Sequence, residues 1–189
     1  MRAVILGGTF NPVHVGHLFI AEEVRAALGY DAAIFVPANQ PPHKDPRPVL
    51  EPAHRLAMLR LAVAGNPRFI VDTGDLDRGG PSYSIETVTR LIPRHGLVGR
   101  PGFVIGDDLV AGFPTWKNVD TLMEIVDLIV ARRTGSGEPS LPFPHRVVDN
   151  TVLPISSSEI RRRIREGRAV RYLLPDPVLS YIRDHTLYG

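Results

Sequence analysis

The stretch "RAVILGGTFNPVHVGH", residues 2–17, decides the fold of this chain. It opens with "RAVIL", an apolar run of strand length, which predicts a buried β-strand. Glycine, proline and histidine follow directly, and this composition predicts a loop that leads into a first helix. His14 and His17 are three residues apart near the first turn of that helix, so we expect both side chains on one face.

The pattern that follows predicts an α/β protein. Segments with helical periodicity alternate with short apolar runs. Because these runs are continuously apolar, we expect strands covered on both faces, as in a parallel doubly wound sheet. A helical segment is expected at about 156–189. The helical segments are 17–28, 52–63 and 85–92; the apolar runs are "AAIFVP", "RFIVD", "GFVIG", "DLIVA" and an apparent last strand, "TVLPI", at 151–155.

Composition limits the classes of protein. The chain has 189 residues, 43% of them hydrophobic, which favours one domain over 1–189. It has no cysteine, so disulfides, thiolate nucleophiles and cysteine-bound zinc are excluded. A net charge of +2 is not typical of a nucleic-acid binder, and no run is long enough to span a membrane. We therefore expect a cytoplasmic protein without nucleic-acid or membrane partners.

The loop after the first predicted strand has the composition of a phosphate-binding site. Gly7 and Gly8 would let the backbone approach an anion, Pro12 would stiffen the turn, and Gly16 would keep the histidine face open. The segment lacks the G-x-G-x-x-G pattern of dinucleotide-binding loops and the G-K-[ST] of a Walker loop. Two histidines alone are too few for a zinc site. A purely structural role, in which the histidines cap the loop, remains an alternative.

A second polar segment, "ISSSEIRRR" at 155–163, begins where the last predicted strand gives way to a helix. Ser156 and Glu159 match a helix capping box. Ser158 and Arg161 add a hydroxyl and a guanidinium that could grip a polyphosphate. The arginine-rich run 161–171 is either a solvated helix face or a surface that faces an anion.

Two proline-rich loops are long for a compact domain. The loop at 37–52 follows the second predicted strand, where open α/β sheets bind ligands, and it contains Lys44. The loop at 134–145 has no evident role.

Together, "GGTFNPVHVGH" and "ISSSEIR" resemble the T/H-x-G-H nucleotidyltransferases, and more closely the bacterial nicotinate-nucleotide adenylyltransferases. The resemblance extends over nearly the whole chain. It implies a single Rossmann-like nucleotidyltransferase domain that transfers an adenylyl group from ATP to nicotinate mononucleotide in NAD biosynthesis. The other motifs that carry it are "PPHK" at 41–44, "GPSYSIETV" at 80–88, "IGDD" at 105–108 and "PTW" at 114–116.

The resemblance also implies which residues form the site. His14, His17 and Arg161 would be catalytic. Gly106 and Asp108 would border the ATP ribose, and Ile155 the adenine. Trp116 would stack on the pyridine ring, whose carboxylate would be held by the backbone amides of Ser84 and Lys117. The implied ATP-binding residues are Gly7, Gly8, Thr9, Phe10, His14, His17, Lys44, Gly106, Asp108, Ile155, Ser158 and Arg161, and those for the mononucleotide are Ser84, Thr87, Trp116 and Lys117.

Several positions depart from the family pattern or have a simpler explanation. Asn11 stands where aspartate is frequent, and Lys117 where an aromatic residue often follows the tryptophan. We expect a cation at Lys117 to strengthen preference for a carboxylate over an amide. Trp116 could instead be a core aromatic, and Asp108 a helix cap.

The reaction implied is in-line attack by the mononucleotide phosphate on the α-phosphorus of ATP, without a general base. Mg²⁺ would be held mainly by the ATP phosphates and water, with no metal site built by the protein. A homo-oligomer remains open. The alternatives are another adenylyl- or cytidylyltransferase of the superfamily, such as pantetheine-phosphate adenylyltransferase, and a non-catalytic nucleotide-binding module.

Overall fold

A computed structural model describes residues 1–41, 49–132 and 140–189. Lys44 and the central parts of both proline-rich loops lie outside the described residues. The described strands form one six-stranded sheet in the order β3-β2-β1-β4-β5-β6, with every neighbouring pair parallel. This confirms the predicted doubly wound sheet. The strands are β1 (Ala3–Gly8), β2 (Ala32–Pro37), β3 (Phe69–Val71), β4 (Gly102–Gly106), β5 (Asp127–Ala131) and β6 (Arg146–Val148).

Helices connect the strands and complete the chain. The helices predicted at 17–28, 52–63 and 85–92 are confirmed as α1, α2 and α4, and the expected C-terminal helical segment contains α6 and α7. In the described ranges, no helix is long and apolar enough to cross a membrane. The helices are α1 (Val15–Ala27), α2 (Pro52–Val63), α3 (Gly74–Arg78), α4 (Ser84–Arg94), α5 (Val119–Ile125), α6 (Ser157–Arg165) and α7 (Asp176–Asp184), with short 3-10 helices at Asp107–Leu109 and Phe113–Thr115.

The sheet is buried on both faces, which explains why its strands are continuously apolar. Val4 and Leu6 of β1 point into one cluster, which also contains Ile160 of α6 and Val178 of α7. The intervening residues, Ala3 and Ile5, point into the opposite cluster with residues of α4 and α5. Because α6 and α7 share a core with β1, the packing supports the prediction of a single domain.

The last strand was predicted in the wrong place. "TVLPI" at 151–155 is not a strand, and β6 lies a few residues earlier, at Arg146–Val148. Two residues after β6, the Asn150 side chain takes the place of ladder bonds, because it accepts from the amide and donates to the carbonyl of Arg132, directly after β5. The Thr151 amide then turns to the carboxylate of Glu23, and Pro154 has no amide to donate to a strand.

A buried carboxylate anchors helix α4 to the end of β3. Asp72 is 2% exposed and accepts hydrogen bonds from Arg90, His95 and the Gly74 amide, with Arg94 at 3.1 Å. Burial by itself would raise the pKa of Asp72, but the His95, Gly74 and Arg90 hydrogen bonds and the Arg94 charge hold it below its ordinary value. This network stabilises the ionised form of the carboxylate.

The first prediction concerns Gly102, at the start of β4. A Cβ at this position would lie 2.7 Å from both Ile129 Cδ1 and Tyr30 Oη, which are buried and have little room to move. We expect Gly102→Ala to lower the free energy of unfolding by about 1–3 kcal/mol through overpacking, measured by urea denaturation. Gly65→Ala is the matched control, because its Cβ would meet no atom within 4 Å. Equal stability of the two variants would contradict this packing.

The second prediction concerns acid unfolding. A depressed folded-state pKa means that Asp72 contributes stability above its unfolded value, near pH 4, and that this contribution is lost as pH falls towards the folded-state pKa. We expect Asp72→Asn to lower the free energy of unfolding by about 1–3 kcal/mol at pH 7, because it removes a buried carboxylate that accepts hydrogen bonds from Arg90, His95 and the Gly74 amide. The difference in unfolding free energy between wild type and Asp72→Asn, measured by urea denaturation at each pH, should become smaller below pH 4. For the control Asp149→Asn, at a side chain that is 97% exposed, this difference should not change with pH.

Candidate active site

Six of the predicted site residues lie at the carboxyl end of β1 and the start of α1, at the centre of the sheet: Gly7, Gly8, Thr9, Phe10, His14 and His17. Strand order reverses here, because β1 has β2 on one side and β4 on the other. Ligands of open parallel sheets bind in the crevice that such a reversal creates. The segment from Thr9 to His14, which we call the phosphate loop, connects β1 to α1 at this point and contains a cis peptide bond between Asn11 and Pro12.

His14, at the end of the loop, and His17, in the first turn of α1, lie together, as predicted. His14 is the N-cap residue of α1, and the ring centroids of His14 and His17 are 3.7 Å apart. The His14 backbone amide donates to Nδ1 of His17 at 3.2 Å. A ring nitrogen that accepts a hydrogen bond carries no proton, so this contact places the proton of neutral His17 on Nε2. The capping geometry therefore also selects the tautomer.

Two glycines that flank the phosphate loop have close side-chain neighbours. A Cβ on Gly8 would lie 2.9 Å from the ring of Phe10, which has a φ of +48° and an edge-on contact with the His17 ring at 5.1 Å. A Cβ on Gly16 would lie 3.1 Å from Nδ1 of His14. Gly7, in contrast, has no atom within 4 Å of its ideal Cβ, so the space beside its backbone is open. This space is where the sequence predicts that an anion approaches.

The second polar segment contacts the first directly. Ser156 caps α6 by accepting a hydrogen bond from the Glu159 amide at 3.2 Å, as the capping motif predicts. Arg161 donates from Nη1 to the Asn11 carbonyl at 2.7 Å and from Nη2 to Ser158 Oγ at 3.1 Å. Ser157 Oγ donates to the carbonyl of Pro12 at 2.8 Å. Two groups of residues that are about 150 positions apart in sequence thus form one surface.

The helical part of the arginine-rich run, up to Arg165, forms a largely solvated face of α6. Arg162 pairs with Glu159 and Glu166, and Arg163 pairs with Glu159. Hydrogen bonds from Arg162 and then Arg163 lower the pKa of Glu159 to about 2. Of the arginines in α6, Arg161 is the one that the described structure connects to the phosphate loop.

The end of β4 lies beside the end of β1, as the proposed ribose site requires. Gly106 is the last residue of β4 and the N-cap of the following 3-10 helix, so the alternative of Asp108 as its cap is wrong. Asp108 lies within that short helix and is exposed. Ile155, the predicted adenine contact, lies beside the start of α1, since a Cβ on Gly16 would be 3.8 Å from its Cβ.

The residues predicted to bind the pyridine nucleotide lie in two segments, one after the 3-10 helix at Phe113–Thr115 and one at the start of α4, which the ion pair between Lys117 and Glu86 brings together. Trp116 is partly buried, and its ring packs against Phe113 at 5.0 Å and Phe103 at 6.3 Å. It is therefore not a fully buried core aromatic. Ser84 is the first residue of α4, where backbone amides have no earlier carbonyl in the helix.

Two predicted substrate residues have structural partners. The Lys117 ammonium pairs with Glu86 at 2.9 Å and lies 4.1 Å from the centre of the Tyr83 ring. Its charge is thus compensated on α4, which weakens the expectation that it selects a carboxylate. Thr87 is 5% exposed and its hydroxyl donates to Asp75 at 2.8 Å. Its role in binding substrate stays a prediction.

Sequence reasoning missed two residues that contact the phosphate loop. Arg55, in α2, is 1% exposed and donates to the Thr9 carbonyl at 2.8 Å. Tyr188, after α7, donates to Oδ1 of Asn11 at 2.7 Å. A signal existed for Arg55, because it falls on the same helical face as the buried Met58 and Leu59. Tyr188 had no such signal.

Comparisons with known proteins identify the family of this chain. The family model described as cytidylyltransferase-like matches residues 5–163. A "probable nicotinate-nucleotide adenylyltransferase" of Borrelia garinii subsp. bavariensis is 40% identical over 188 residues, covering 100% of this chain and 95% of that protein. The protein of that name from Symbiobacterium thermophilum is also 40% identical, over 99% of this chain and 95% of its own length.

Solved structures show the same fold. The nicotinic acid mononucleotide adenylyltransferase of Plasmodium falciparum, complexed with NaAD, superposes with a TM-score of 0.78 at 17% identity, covering 100% of this chain and 98% of that one. At this identity the likeness concerns the fold alone. The full-length sequence identity carries the assignment further: the chain belongs to the cytidylyltransferase-like family and, within it, to the nicotinate-nucleotide adenylyltransferases.

Proposed function

We propose that this enzyme transfers an adenylyl group from ATP to nicotinate mononucleotide, giving nicotinic acid adenine dinucleotide and pyrophosphate in NAD biosynthesis. The observation that carries the proposal is the hydrogen bond of 2.7 Å between Arg161 and the Asn11 carbonyl. It places a guanidinium from α6 against the phosphate loop, which ends at His14 and leads into α1 with His17, so one triphosphate can contact Arg161 and both histidines. The curated relatives of matching name support the choice of substrate.

The chemistry needs positioning more than proton transfer. A 5′-phosphate oxygen of the mononucleotide forms a bond to the α-phosphorus of ATP, while the bond from that phosphorus to the bridging oxygen breaks. Pyrophosphate leaves with the electron pair. Because the nucleophile is already ionised near neutral pH, no general base is required, and the enzyme acts by alignment and by stabilising charge on the leaving oxygens.

The histidines and Arg161 divide this work. The contact from the His14 amide makes Nδ1 of His17 an acceptor, so Nε2 carries the ring proton and can donate to a phosphate oxygen. Arg161, which binds the Asn11 carbonyl, adds a permanent positive charge beside the loop. Lys44 lies outside the described residues, and its contribution to charge neutralisation stays a proposal.

Magnesium enters this proposal as part of the substrate, MgATP, held by phosphate oxygens and water. Within 1–41, 49–132 and 140–189, no three His, Asp or Glu side chains are grouped so that they could hold a metal ion. A donor set dominated by imidazole and guanidinium suits phosphate oxygens better than a bare Mg²⁺, which prefers carboxylate and water oxygens.

The pyridine carboxylate would be held by the Ser84 and Lys117 amides, with Trp116 against the ring. The start of α4 favours an anion through its unpaired amides and its dipole. The cytoplasmic location and any homo-oligomer are further proposals.

The third prediction tests the reaction and its substrate. With MgATP, we expect pyrophosphate release with nicotinate mononucleotide at a kcat/KM at least tenfold above that with nicotinamide mononucleotide, since only the former carries the anion for the α4 amides. Coupled pyrophosphate detection with each mononucleotide measures the ratio, and chromatography identifies the dinucleotide. Equal use of both would refute the carboxylate site while leaving adenylyl transfer intact.

The fourth prediction concerns His17. We expect His17→Ala to lower kcat roughly a hundredfold or more, because it removes one preorganised donor to the charge that develops on phosphate oxygens. His185→Ala, which changes an exposed histidine on the far end of α7, should retain wild-type turnover. Unchanged kcat in His17→Ala, with intact folding by circular dichroism, would remove this residue from the mechanism.

A further inference from the structure

Side chains of α2 and α6 donate hydrogen bonds to backbone carbonyls of the phosphate loop. Arg161 and Ser157 of α6 bind the carbonyls of Asn11 and Pro12. Arg55 binds the carbonyl of Thr9 from another direction. An unpaired backbone carbonyl would repel phosphate through its partial negative charge. Donors that occupy the loop carbonyls reduce this repulsion and fix the conformation of the loop.

Arg55 joins the phosphate loop to the end of β2 and to the residues just before α2. Its Nη1 donates to the carbonyls of Thr9 and Ala38 at 2.8 Å each, and its Nε donates to Leu50 at 2.9 Å. The planar guanidinium thus ties the ends of β1 and β2 to the start of α2. Burial lowers the pKa of Arg55, yet an arginine remains charged at neutral pH. The contacts to it are therefore charge-assisted.

Tyr188 holds the same loop through a side chain. Its hydroxyl donates to Oδ1 of Asn11 at 2.7 Å, next to the carbonyl that Arg161 binds. The residue has a φ of +69°, in the left-handed region, and its neighbour Leu187 packs into the core. Burial raises the pKa of Tyr188, so the phenol is neutral and donates at neutral pH.

From these contacts we infer that Arg55 and Tyr188 are positioning residues for the nucleotide, which hold the phosphate loop in the conformation that receives the triphosphate of ATP. The inference rests on the proposed function for the identity of the ligand. It predicts that loss of either contact weakens ATP binding more than it affects the mononucleotide, whose predicted pocket lies at α4 and Trp116.

The fifth prediction uses Tyr188→Phe, which removes the hydroxyl and keeps the ring. We expect the KM for ATP and the calorimetric Kd of MgATP to rise about threefold to tenfold, the usual effect of one lost hydrogen bond. The KM for nicotinate mononucleotide should change less than twofold. The matched control is Tyr181→Phe. The Tyr181 hydroxyl also makes a partly buried hydrogen bond, at 3.0 Å to Nδ1 of His54, but His54 lies in α2 and not in the phosphate loop.

A double-mutant cycle separates positioning from general stability. In an Asn11→Ala background the Tyr188 hydroxyl has lost its acceptor, so Tyr188→Phe should cause no further rise in the Kd of MgATP. Additive effects of the two substitutions would overturn the assigned contact. An increase in Tyr188→Phe no larger than in Tyr181→Phe, at equal melting temperatures, would overturn the positioning role.

Arg55 is tested by Arg55→Lys, which keeps the charge but loses the planar fork. We expect a rise in the Kd of MgATP of at least tenfold, in protein whose circular dichroism and melting show that it is folded; unchanged affinity would exclude Arg55. MgATP binding is measured without the mononucleotide, so it stands apart from catalysis. A wild-type enzyme that binds MgATP but makes no dinucleotide would defeat the proposed function alone, whereas one that binds no MgATP would defeat both.

Discussion

The contact between Arg161 and the carbonyl of Asn11 is the constraint on which the site depends. β1 ends at the centre of a parallel sheet, where strand order reverses, and the loop that follows needs an external partner to keep one conformation. α6 supplies that partner from the other end of the chain. Its own position depends on Ile160, which is fully buried in the core shared with β1. The hydrophobic core thus sets the distance between two polar groups.

Backbone amides at the start of α1 already have hydrogen-bond partners within the protein. At the start of α1, the His14 amide binds His17, and the Val15 amide binds the carbonyl of Leu173. These amides serve the loop and the helix entry, so side chains carry more of the proposed phosphate binding than the α1 amides do. Fixed donors that need no reorganisation are what charge stabilisation in an active site requires.

The sequence predicted the strands well where burial made the pattern unambiguous. Four of the later apolar runs coincide with β2, β3, β4 and β5, because a strand covered on both faces must be apolar throughout. The pattern failed at "TVLPI". Just before this segment, Asn150 binds the backbone of Arg132 through contacts that periodicity does not report, and Pro154 within it has no amide to donate. The sequence also predicted a charge at Lys117 without its partner, since Glu86 is 31 positions away.

The sequence alone determined the fold class and the two polar segments of the site, because strand burial, helix periodicity and loop composition are local properties. The meeting of the phosphate loop with α6 was decided by tertiary structure, as were the contacts of Arg55 and Tyr188. The physical reason is that a hydrogen bond between residues 177 positions apart, such as that from Tyr188 to Asn11, exists only once the core has packed. Local sequence carries no record of such a distance.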